Sequence, residues 1–375
     1  MTTDSIYRER FANTLRHKGV DRCPIDLGGT PQTTITAPGL HEKLKSLLGC
    51  AGAEHGNPDE RLLARFDVDF RRVGAMLEFE TGRERRISAT EYSDHFGIHR
   101  VFSGKYWETS AGPLENAAIE QVNAYKFPRL DQLTTDLEAL EQRARCLHEK
   151  TPYVVVAEHP VNGVLELACR LCGYEHIMCM LAADPEFISV LFGKILAFQK
   201  EASGAYYSRL GRYIHMTTSG DDFGTQKGLF MSPAMFREFI KPCMKQRFAH
   251  IKEFTDAAQQ HHSCGNIFQI IPDLIEAGVE VLNPIQPVAG MEPQRLKSEF
   301  GRKLTFHGGL DTQALLPSGN HAKIREGVNK LIRAMHPKTD GGFIFAPAHN
   351  FQEDVSASSA IAMYDAALEY FGGHL

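Results

Sequence analysis

Residues 257–283, AAQQHHSCGNIFQIIPDLIEAGVEVLN, contain a strand, a helix and a second strand in immediate succession. The segment begins with a β-like run, and Ile267, Ile271 and Leu274 then repeat at the spacing that places apolar side chains on one helix face. Gly278 ends this helix, and a second β-like run follows. Two strands joined through a helix are the unit of a parallel sheet with crossover helices.

Short β-like runs of this kind occur along the whole chain, and longer helical patterns separate them. Eight parallel strands close a (β/α)8 TIM barrel. The sequence therefore predicts an α/β fold of this class, with residues 1–375 forming one domain. The eight candidate strands are Pro24–Leu27, Val68–Gly74, Tyr153–Ala157, Tyr213–Thr218, Ala257–His261, Val279–Asn283, Lys303–His307 and Gly342–Ala346.

Residues 78–136 interrupt the alternation of strands and helices. They hold the only tryptophan, Trp107, together with many polar side chains that show no clear period. This composition predicts an excursion from the barrel in the form of a β-rich flap or lid.

Composition and charge exclude several classes of protein. The 375 residues carry a formal net charge of −5, and no dense block of lysine and arginine indicates a nucleic-acid surface. Residues 1–22 are polar and charged, without the apolar run of a signal peptide, and no stretch is apolar enough to span a bilayer. We therefore expect a cytoplasmic protein that binds neither nucleic acid nor membrane.

The cysteine content and the absence of several motifs reduce the number of reaction types that the sequence supports. Eight cysteines are too few for a secreted disulfide framework, so a cysteine with a chemical role is expected to be a metal ligand or a nucleophile. The sequence contains no dinucleotide-binding fingerprint, phosphate loop, serine nucleophile elbow or HExxH motif. Nucleotide-driven, serine-hydrolase and zincin functions therefore lose support.

Polar and glycine residues are concentrated directly after the candidate strands. In a barrel the βα-loops share the carboxyl-terminal face, so these residues meet there although the sequence scatters them. This convergence predicts an active site at that face. The residues are Gly28-Gly29, Glu158-His159, Asp221-Asp222, His262, Cys264, Asn283, Gln286, Gly308 to Asp311 and His349-Asn350.

His262 and Cys264 form the first candidate site. On an extended segment alternate residues point the same way, so the imidazole and the thiolate can face one ion. Zinc takes histidine nitrogen and cysteine sulfur, and a catalytic zinc has three protein ligands and an open position. His349, after the last strand, is the expected third ligand. The alternative is that Cys264 is a buried small hydrophobic residue and His262 a hydrogen-bonded polar one.

Asp221 and Asp222 form a second candidate site. Adjacent carboxylates do not face each other, so one of them is expected to enter the pocket and take a proton, orient a ligand or support a metal-bound histidine. The alternative is that an aspartate caps the start of a helix. Ser232-Pro233 already begins the following helix, which favours the functional interpretation.

Two further groups of residues are interpreted as structural. The glycines of Gly308-Gly309 would let backbone N–H groups approach an anion or would permit a tight turn, and the turn is favoured. Cys169, Cys172, His176 and Cys179 share one helical face by spacing, but the apolar residues around them indicate a core helix rather than a second metal site.

Several segments, taken together, are similar to those of a known family: Arg22 to Asp26, Gly220 to Gln226, Met231 to Pro233, His262 to Gly265, Gly278 to Gln286, Gly308 to Asp311, and Ala348 to Asn350. They resemble the uroporphyrinogen decarboxylase superfamily over nearly the whole chain, and within it the corrinoid-linked methyltransferase branch. True decarboxylases carry an arginine-containing segment after the first strand that binds substrate carboxylates. Gly28 to Gln32 stands in its place here, which favours the methyltransferase branch.

The resemblance implies a metal, a reaction and a partner. The methyltransferase branch binds zinc through His-x-Cys and a later cysteine, so it implies zinc at His262 and Cys264, with His349 at the later position. It implies zinc-dependent transfer of a methyl group between a corrinoid and a small thiol or pterin. No cobalamin-binding module is recognisable in this chain, so a separate corrinoid protein would carry the cofactor. Relatives are often dimers, which implies a homodimer.

On this hypothesis Asp221 or Asp222 orients the metal shell or the acceptor. Two alternative functions remain. One is a metal-independent decarboxylase or lyase, in which an aspartate of this pair holds a developing charge and the Gly308-Gly309 turn holds a carboxylate. The other is a non-catalytic barrel that serves as a binding subunit of a methyl-transfer complex. The expected substrate-binding residues are Gln226, Asn283, Gln286 and Glu158.

Overall fold

The computed structural model describes residues 5–50, 58–104 and 106–373. Within these ranges, seven strands form one sheet and four form another. The strands are β1 (Phe70–Val73), β2 (Arg85–Arg86), β3 (Glu91–Ser93), β4 (His99–Phe102), β5 (Trp107–Ala111), β6 (Val154–Ala157), β7 (Met216–Thr217), β8 (Ala258–His262), β9 (Val281–Asn283), β10 (Thr305–His307) and β11 (Phe343–Ile344).

The seven-stranded sheet is parallel throughout, and its strands follow one another in chain order. The order is β1-β6-β7-β8-β9-β10-β11, and every neighbouring pair runs parallel. Parallel neighbours connected by helices form a curled sheet whose carboxyl ends share one edge. The prediction of an α/β fold with a TIM-barrel-like parallel sheet is confirmed in this form.

The first predicted strand, Pro24–Leu27, is reduced to a single bridge. Ile25 makes an isolated parallel bridge with Phe345, and the N–H of Asp26 donates to the carbonyl of Phe345 at 2.8 Å. On its other side, Ile25 accepts from the N–H of Asp69 at 2.9 Å. The segment therefore hydrogen-bonds beside both edge strands of the sheet. Its pairing is short because its first residue is a proline, which has no N–H to donate.

The other seven predicted runs each overlap an observed strand; six of the strands are shorter than predicted, and β8 has the predicted length but begins and ends one residue later. Of the run Tyr213–Thr218, only Met216–Thr217 is a strand, because the chain first makes a 3-10 turn at Gly211–Tyr213. A turn that precedes a strand leaves no periodic signal of its own, so the apolar run overestimates the strand.

Helices fill the connections outside the sheet, and none in the described ranges is long and apolar enough to cross a membrane. The α-helices are α1 (Ile6–Leu15), α2 (Pro38–Leu47), α3 (Glu60–Arg65), α4 (Ile119–Ala124), α5 (Leu137–Lys150), α6 (Val164–Cys172), α7 (Tyr174–Ala183), α8 (Pro185–Leu210), α9 (Pro233–Met235), α10 (Lys241–Lys252), α11 (Ile271–Ala277), α12 (Pro293–Phe300), α13 (His321–Met335), α14 (Pro337–Asp340) and α15 (Ala357–Tyr370). Short 3-10 turns cover Pro31–Thr33, Leu130–Gln132, Gly211–Tyr213, Phe268–Ile270 and Pro287–Ala289, and a π-helical turn covers Phe236–Ile240.

The helix signals in the sequence correspond to real helix ends. The Ser232 hydroxyl accepts from the N–H of Met235 at 3.2 Å and so caps α9. Gly278 ends α11 in the left-handed region, with φ +108°. The face of α13 that carries Ile324 and Val328 is buried. These three predictions are confirmed.

The cysteine-rich segment forms two helices rather than one. Helix α6 ends at Cys172, and α7 begins after Gly173, whose φ is +91°. The prediction that Cys169, Cys172, His176 and Cys179 share one helical face is therefore wrong, because the glycine breaks the helix between them. Cys169 and Cys172 are buried and Cys179 is exposed.

The excursion predicted at residues 78–136 contains a second sheet. Strands β2, β3, β4 and β5 pair antiparallel in chain order. The region is attached to α8 through aromatic contacts, since the ring of Phe198 lies 5.5 Å from Phe96 and 5.6 Å from Phe127. A role as a flap or lid stays a prediction.

The interior of the curled sheet changes character from one end to the other. An apolar cluster occupies the amino-terminal part of the strands. Toward the carboxyl ends the inward positions become polar, and His262, Asn283 and His307 are all buried there. Buried polar groups cost free energy unless they are paired, so these three side chains need hydrogen-bond partners at this end of the sheet. The apolar cluster contains Phe11, Phe70, Val154, Val156, Met216, Ala258, Val281 and Ile344.

Candidate metal centre

Three potential metal ligands meet at the carboxyl ends of the strands. His262 is the last residue of β8, Cys264 lies two residues beyond it, and His349 lies in the loop after β11. One ligand atom from each residue lies within 4.8 Å of the others, and Cys264 Sγ is 3.3 Å from His262 Nε2. The two imidazole centroids are 5.8 Å apart. Two nitrogens and one sulfur are a donor set that zinc accepts, and they leave a fourth position open.

The orientation of His262 is set by Asn283, which lies at the end of β9. His262 Nδ1 donates to Asn283 Oδ1 at 2.6 Å, while Asn283 Nδ2 donates to the backbone carbonyl of His307 at 3.0 Å. With Nδ1 protonated, the lone pair of the ring is on Nε2, the nitrogen next to Cys264 Sγ.

His349 is held in the same way by its neighbour in the chain. Its Nδ1 lies 2.7 Å from Asn350 Oδ1, which can only accept, so Nε2 again keeps the lone pair. Burial, and then the nearby His262, lower the pKa of His349. A neutral imidazole is the form that binds a metal.

Cys264 is surrounded by polar groups that fix its loop. Its N–H donates to Asp222 Oδ1 at 2.8 Å, and Gln286 Nε2 approaches its Sγ at 3.7 Å. Gln286 is oriented because its Oε1 accepts from the N–H of Gly265 at 2.6 Å. Burial, and then Asp222, raise the pKa of Cys264 to about 12. A metal ion would have to displace the thiol proton on binding.

The two adjacent aspartates point to different places. Asp221 is buried, and its two oxygens accept from the N–H groups of Leu165 at 2.9 Å and Glu166 at 2.7 Å. It therefore caps α6, a helix that lies earlier in the chain. Burial and the nearby Glu166 raise the pKa of Asp221, and the two N–H groups oppose this shift. Asp222 is half-exposed, and its Oδ1 is 3.8 Å from His262 Nε2.

Glu158 and Gln226, predicted to bind substrate, do not contact the triad. Glu158 follows β6 and pairs with Arg72 at 3.5 Å, and burial raises its pKa against the effect of that arginine. Gln226 is exposed and donates to Gln313 Oε1 at 2.9 Å. Asn283 and Gln286, predicted for the same role, contact the candidate ligands His262 and Cys264.

Two cavities meet at the triad. The larger, of about 850 Å³, includes Glu158, Asp222 and His262 in its wall. The smaller, of about 650 Å³, includes Gln226, Gln286 and Cys264. Three residues line both cavities: Tyr106, His349 and Asn350. The arrangement lets two reactants approach the same point from different sides.

Tyr106 was not predicted as a site residue, and Asn350 was predicted at this face without a role. Tyr106 lies between β4 and β5 of the antiparallel sheet, and its hydroxyl contacts Gln352 Nε2 at the wall of the smaller cavity. The sequence around it has no period, so nothing marks it as part of the site. The role of Asn350 could have been found from its position next to a candidate ligand, because metal-bound histidines regularly donate their second N–H to a nearby acceptor.

The turn predicted at Gly308-Gly309 is not found there: the two residues continue from β10 without a turn, and the turn begins at Thr312. Gly308 has φ +79° and Gly309 has φ +137°. The Asp311 carboxylate accepts from three N–H groups in the turn that follows, with its oxygens 2.7 Å from the nitrogen of Gln313 and 3.1 Å from that of Leu315. These three donors belong to residues 313–315, whereas the N–H of Gly308 donates to the carbonyl of Ile344 at 2.9 Å and is therefore not open to an anion.

Comparison with known proteins places this chain in a family. The model of the uroporphyrinogen decarboxylase (URO-D) family matches residues 107–370, which is more than half of the chain. The solved structure of a methyltransferase from Methanosarcina mazei is similar over 99% of this chain and 100% of that one, with a TM-score of 0.68 and 18% sequence identity. At this identity the likeness shows a shared fold. A search of curated proteins gave no match. The chain belongs to the uroporphyrinogen decarboxylase (URO-D) family.

Proposed function

We propose that the protein is a zinc-dependent methyltransferase that moves a methyl group between a corrinoid on a separate protein and a small thiol or pterin. The observation that carries this proposal is the convergence of His262, Cys264 and His349, whose ligand atoms lie within 4.8 Å of one another. URO-D family membership and the fold shared with a methyltransferase support it.

The three side chains fit zinc. Both imidazoles donate their Nδ1–H to an amide oxygen, from Asn283 and Asn350, so each keeps Nε2 for a metal. When bound, zinc would coordinate the acceptor sulfur or nitrogen at the fourth position and lower its pKa, which makes the acceptor a nucleophile near neutral pH.

The other site residues hold the ligands and the reactants. Asp222 fixes the loop of Cys264 through its backbone N–H, and Gln286 lies against the sulfur. Glu158, whose pKa is raised by burial, provides a hydrogen-bonding carboxyl group in the larger cavity, and Gln226 provides an amide in the smaller one. We assign substrate contacts to these two walls.

The proposal includes the wider organisation of the protein. Residues 1–375 form a single cytoplasmic domain that acts as a homodimer, and a corrinoid protein docks over the cavities from outside. The antiparallel sheet around Tyr106 is the part of the chain that covers the site as a lid. Its contact with Gln352 next to the triad supports this role.

The decarboxylase alternative has less support in the geometry. It needs a carboxylate at Asp221 or Asp222 that faces the substrate and a turn at Gly308-Gly309 that binds an anion. Both oxygens of Asp221 are occupied by N–H groups of α6, and the N–H of Gly308 donates to the carbonyl of Ile344. No cationic side chain stands at Gly28 to Gln32, where the decarboxylases have theirs.

Metal analysis of the purified protein, combined with a methyl-transfer assay, tests the proposal. We expect one zinc per chain, and loss of both zinc and activity in His262→Ala, Cys264→Ser and His349→Ala. Cys179→Ser is the matched control, because this cysteine is exposed on α7 and away from the site. Methyl transfer to a thiolate leaves both electrons of the Co–C bond on cobalt, so conversion of free methylcob(III)alamin to cob(I)alamin is the readout. A tetrahydropterin acceptor is assayed in parallel.

Two results would reject the proposal. One is a protein that binds no zinc and transfers methyl groups equally well with a chelator present. The other is release of carbon dioxide from a small carboxylic acid without metal or corrinoid, which would favour the lyase. Capture of a corrinoid protein with no turnover of either acceptor would favour a binding subunit.

A further inference from the structure

We infer that Asn283 is a positioning residue of the metal centre, which fixes His262 as the Nδ1–H tautomer and so presents Nε2 to the metal. This inference rests on the proposed function, since it gives a buried amide a role in the same site. It replaces the substrate contact predicted for Asn283 from the sequence.

The amide of Asn283 can adopt only one orientation. The backbone carbonyl of His307 accepts and cannot donate, so the NH2 group must face it, at 3.0 Å. Oδ1 is then the atom that faces His262 Nδ1, at 2.6 Å, and it can only accept. Asn283 is fully buried and His262 is 7% exposed, so water does not compete for these groups. The tautomer of His262 follows from this geometry.

The carbonyl that orients Asn283 is itself anchored. His307 Nε2 lies 2.9 Å from Asp26 Oδ2, and both side chains are fully buried. Asp26 also accepts from the Thr33 hydroxyl and from the N–H of Gly29, each at 2.7 Å. A hydrogen-bonded path therefore runs from the segment beside β11, through β10 and β9, to the ligand at the end of β8.

This hydrogen-bonded path fixes the position of the His262 ring, but it does not transfer a proton. The link between His307 and Asn283 passes through a backbone carbonyl, which has no proton to transfer. Space is also restricted, because a Cβ on Gly308 would lie 3.3 Å from Asn283 Nδ2. The amide is therefore held from two sides while it holds His262.

Asn350 makes a similar contact to His349, but its constraint is weaker. It is the next residue in the chain and lies on the cavity wall, so loop geometry already keeps it near the ring. Asn283 reaches His262 from another strand. For this reason we assign the positioning role to Asn283 and expect its replacement to have the larger effect.

The first measurement needs no variant. Long-range 15N NMR of the metal-free protein at alkaline pH distinguishes the two neutral tautomers of a histidine. The His262 signal is assigned by its absence in His262→Gln, since the chain has 17 histidines. We expect the Nδ1–H tautomer. An Nε2–H tautomer in the wild-type protein would overturn the inference.

The second measurement is metal affinity in Asn283→Leu, which keeps the volume and removes the acceptor. We expect a loss of about 10- to 100-fold in zinc affinity and a changed absorption spectrum of the Co2+ form. The control is Asn162→Leu, another buried asparagine on the cavity wall that does not contact the triad. Unchanged affinity and spectrum in a folded Asn283→Leu would contradict the inference.

The two proposals fail in distinguishable ways. A wild-type protein that binds no zinc refutes the proposed function, whatever the tautomer of His262. A wild-type protein that binds zinc, with Asn283→Leu equal to it, refutes only the positioning role. Should Asn283→Leu not fold, the wild-type tautomer measurement still decides.

Discussion

Gly309, which follows β10, has φ +137°. Residues with a side chain rarely adopt this backbone conformation. A Cβ at this position would lie 3.1 Å from Cβ of Ile285, which is buried. This geometry explains the glycine at this position by the close approach of the backbone to the loop that follows β9.

Gly309→Ala is therefore expected to destabilise the protein by about 1–3 kcal/mol, because the alanine is held in a strained region and crowds Ile285. Urea denaturation measures the change. Gly193→Ala is the control: this residue is exposed within α8 with nothing near its Cβ position, so the substitution should stabilise by about 0.5–1 kcal/mol. Loss of phosphate binding at unchanged stability would instead favour the anion site.

His215 is expected to make the stability of the protein depend on pH. Burial, and then Arg8 and His148, lower its pKa to about 3, and its Nδ1 accepts from the N–H of Val155 at 3.0 Å. In the unfolded chain its pKa is about 6.5, so the unfolded state takes up the proton first as pH falls. The free energy of unfolding should therefore decrease from pH 6.5 downward, by at most about 1.4 kcal/mol per pH unit from this residue.

Urea denaturation over a pH series checks this expectation in His215→Asn, whose amide oxygen can replace Nδ1 without titrating. The variant should show a shallower loss of stability with acid than the wild type. His321→Asn, at the exposed start of α13, is the control and should keep the wild-type slope. Equal slopes in all three proteins would show that His215 does not contribute.

The three candidate ligands of the metal site were predictable from the sequence, but the contacts that hold them were not. His262 and Cys264 are found from their spacing at a strand end, and His349 from the rule that strand ends of a barrel converge. The contacts of Asn283 and Gln286 were not predictable, because an amide at a strand end can face either the substrate or a ligand. That choice depends on the side chains of neighbouring strands, which the sequence does not bring together.

Among the secondary-structure elements, α6 shows why a helix cap can be missed in the sequence. Its capping residue, Asp221, lies far from it in the chain. A cap is normally sought within the few residues before its helix, but Asp221 caps α6 from the other side of the intervening helices. Helix α6 begins at Val164 after Gly163, which offers no side chain for this purpose. A cap supplied from another segment leaves no local pattern.

Replacing this cap tests whether Asp221 is structural or catalytic. Asp221→Ala should lower the free energy of unfolding by about 1–2 kcal/mol, because two N–H groups of α6 lose their acceptor. Asp221→Asn keeps one acceptor oxygen and should lose less. Urea denaturation gives the stability, and the methyl-transfer assay at a temperature where both variants are folded gives the activity. Full stability with abolished turnover would show a catalytic role.

The strands of the antiparallel sheet could not be predicted from the sequence. Its strands have two to five residues, and both residues of β2 are exposed, so no alternation of apolar and polar side chains could mark them. The parallel strands were legible because both faces of a barrel strand are covered, which gives continuous apolar runs such as Val154 to Ala157.

On the scale of the whole molecule, two sheets with separate hydrogen-bonding networks share one boundary. Phe198 of α8 lies at that boundary, where its ring is 5.8 Å from Phe79, 5.5 Å from Phe96 and 5.6 Å from Phe127. All of these rings except Phe127 are buried. The antiparallel sheet has no comparable core of its own, since most of its side chains are partly or fully exposed.

The antiparallel sheet packs against a helix of the barrel and has little core of its own. We therefore expect it to unfold together with the barrel. Trp107, the only tryptophan, reports on β5, while far-ultraviolet circular dichroism reports on the helices around the parallel sheet. We expect the two urea transitions to coincide in the wild type, as the single-domain prediction requires.

Phe198→Ala should cost about 3–5 kcal/mol and move the Trp107 transition to lower urea than the dichroism transition. Phe268→Ala, which removes a ring beside α12, should shift both transitions together. A Trp107 transition that precedes the other in the wild type would mean that the antiparallel sheet is a separate folding unit, able to open over the candidate metal site while the barrel stays intact.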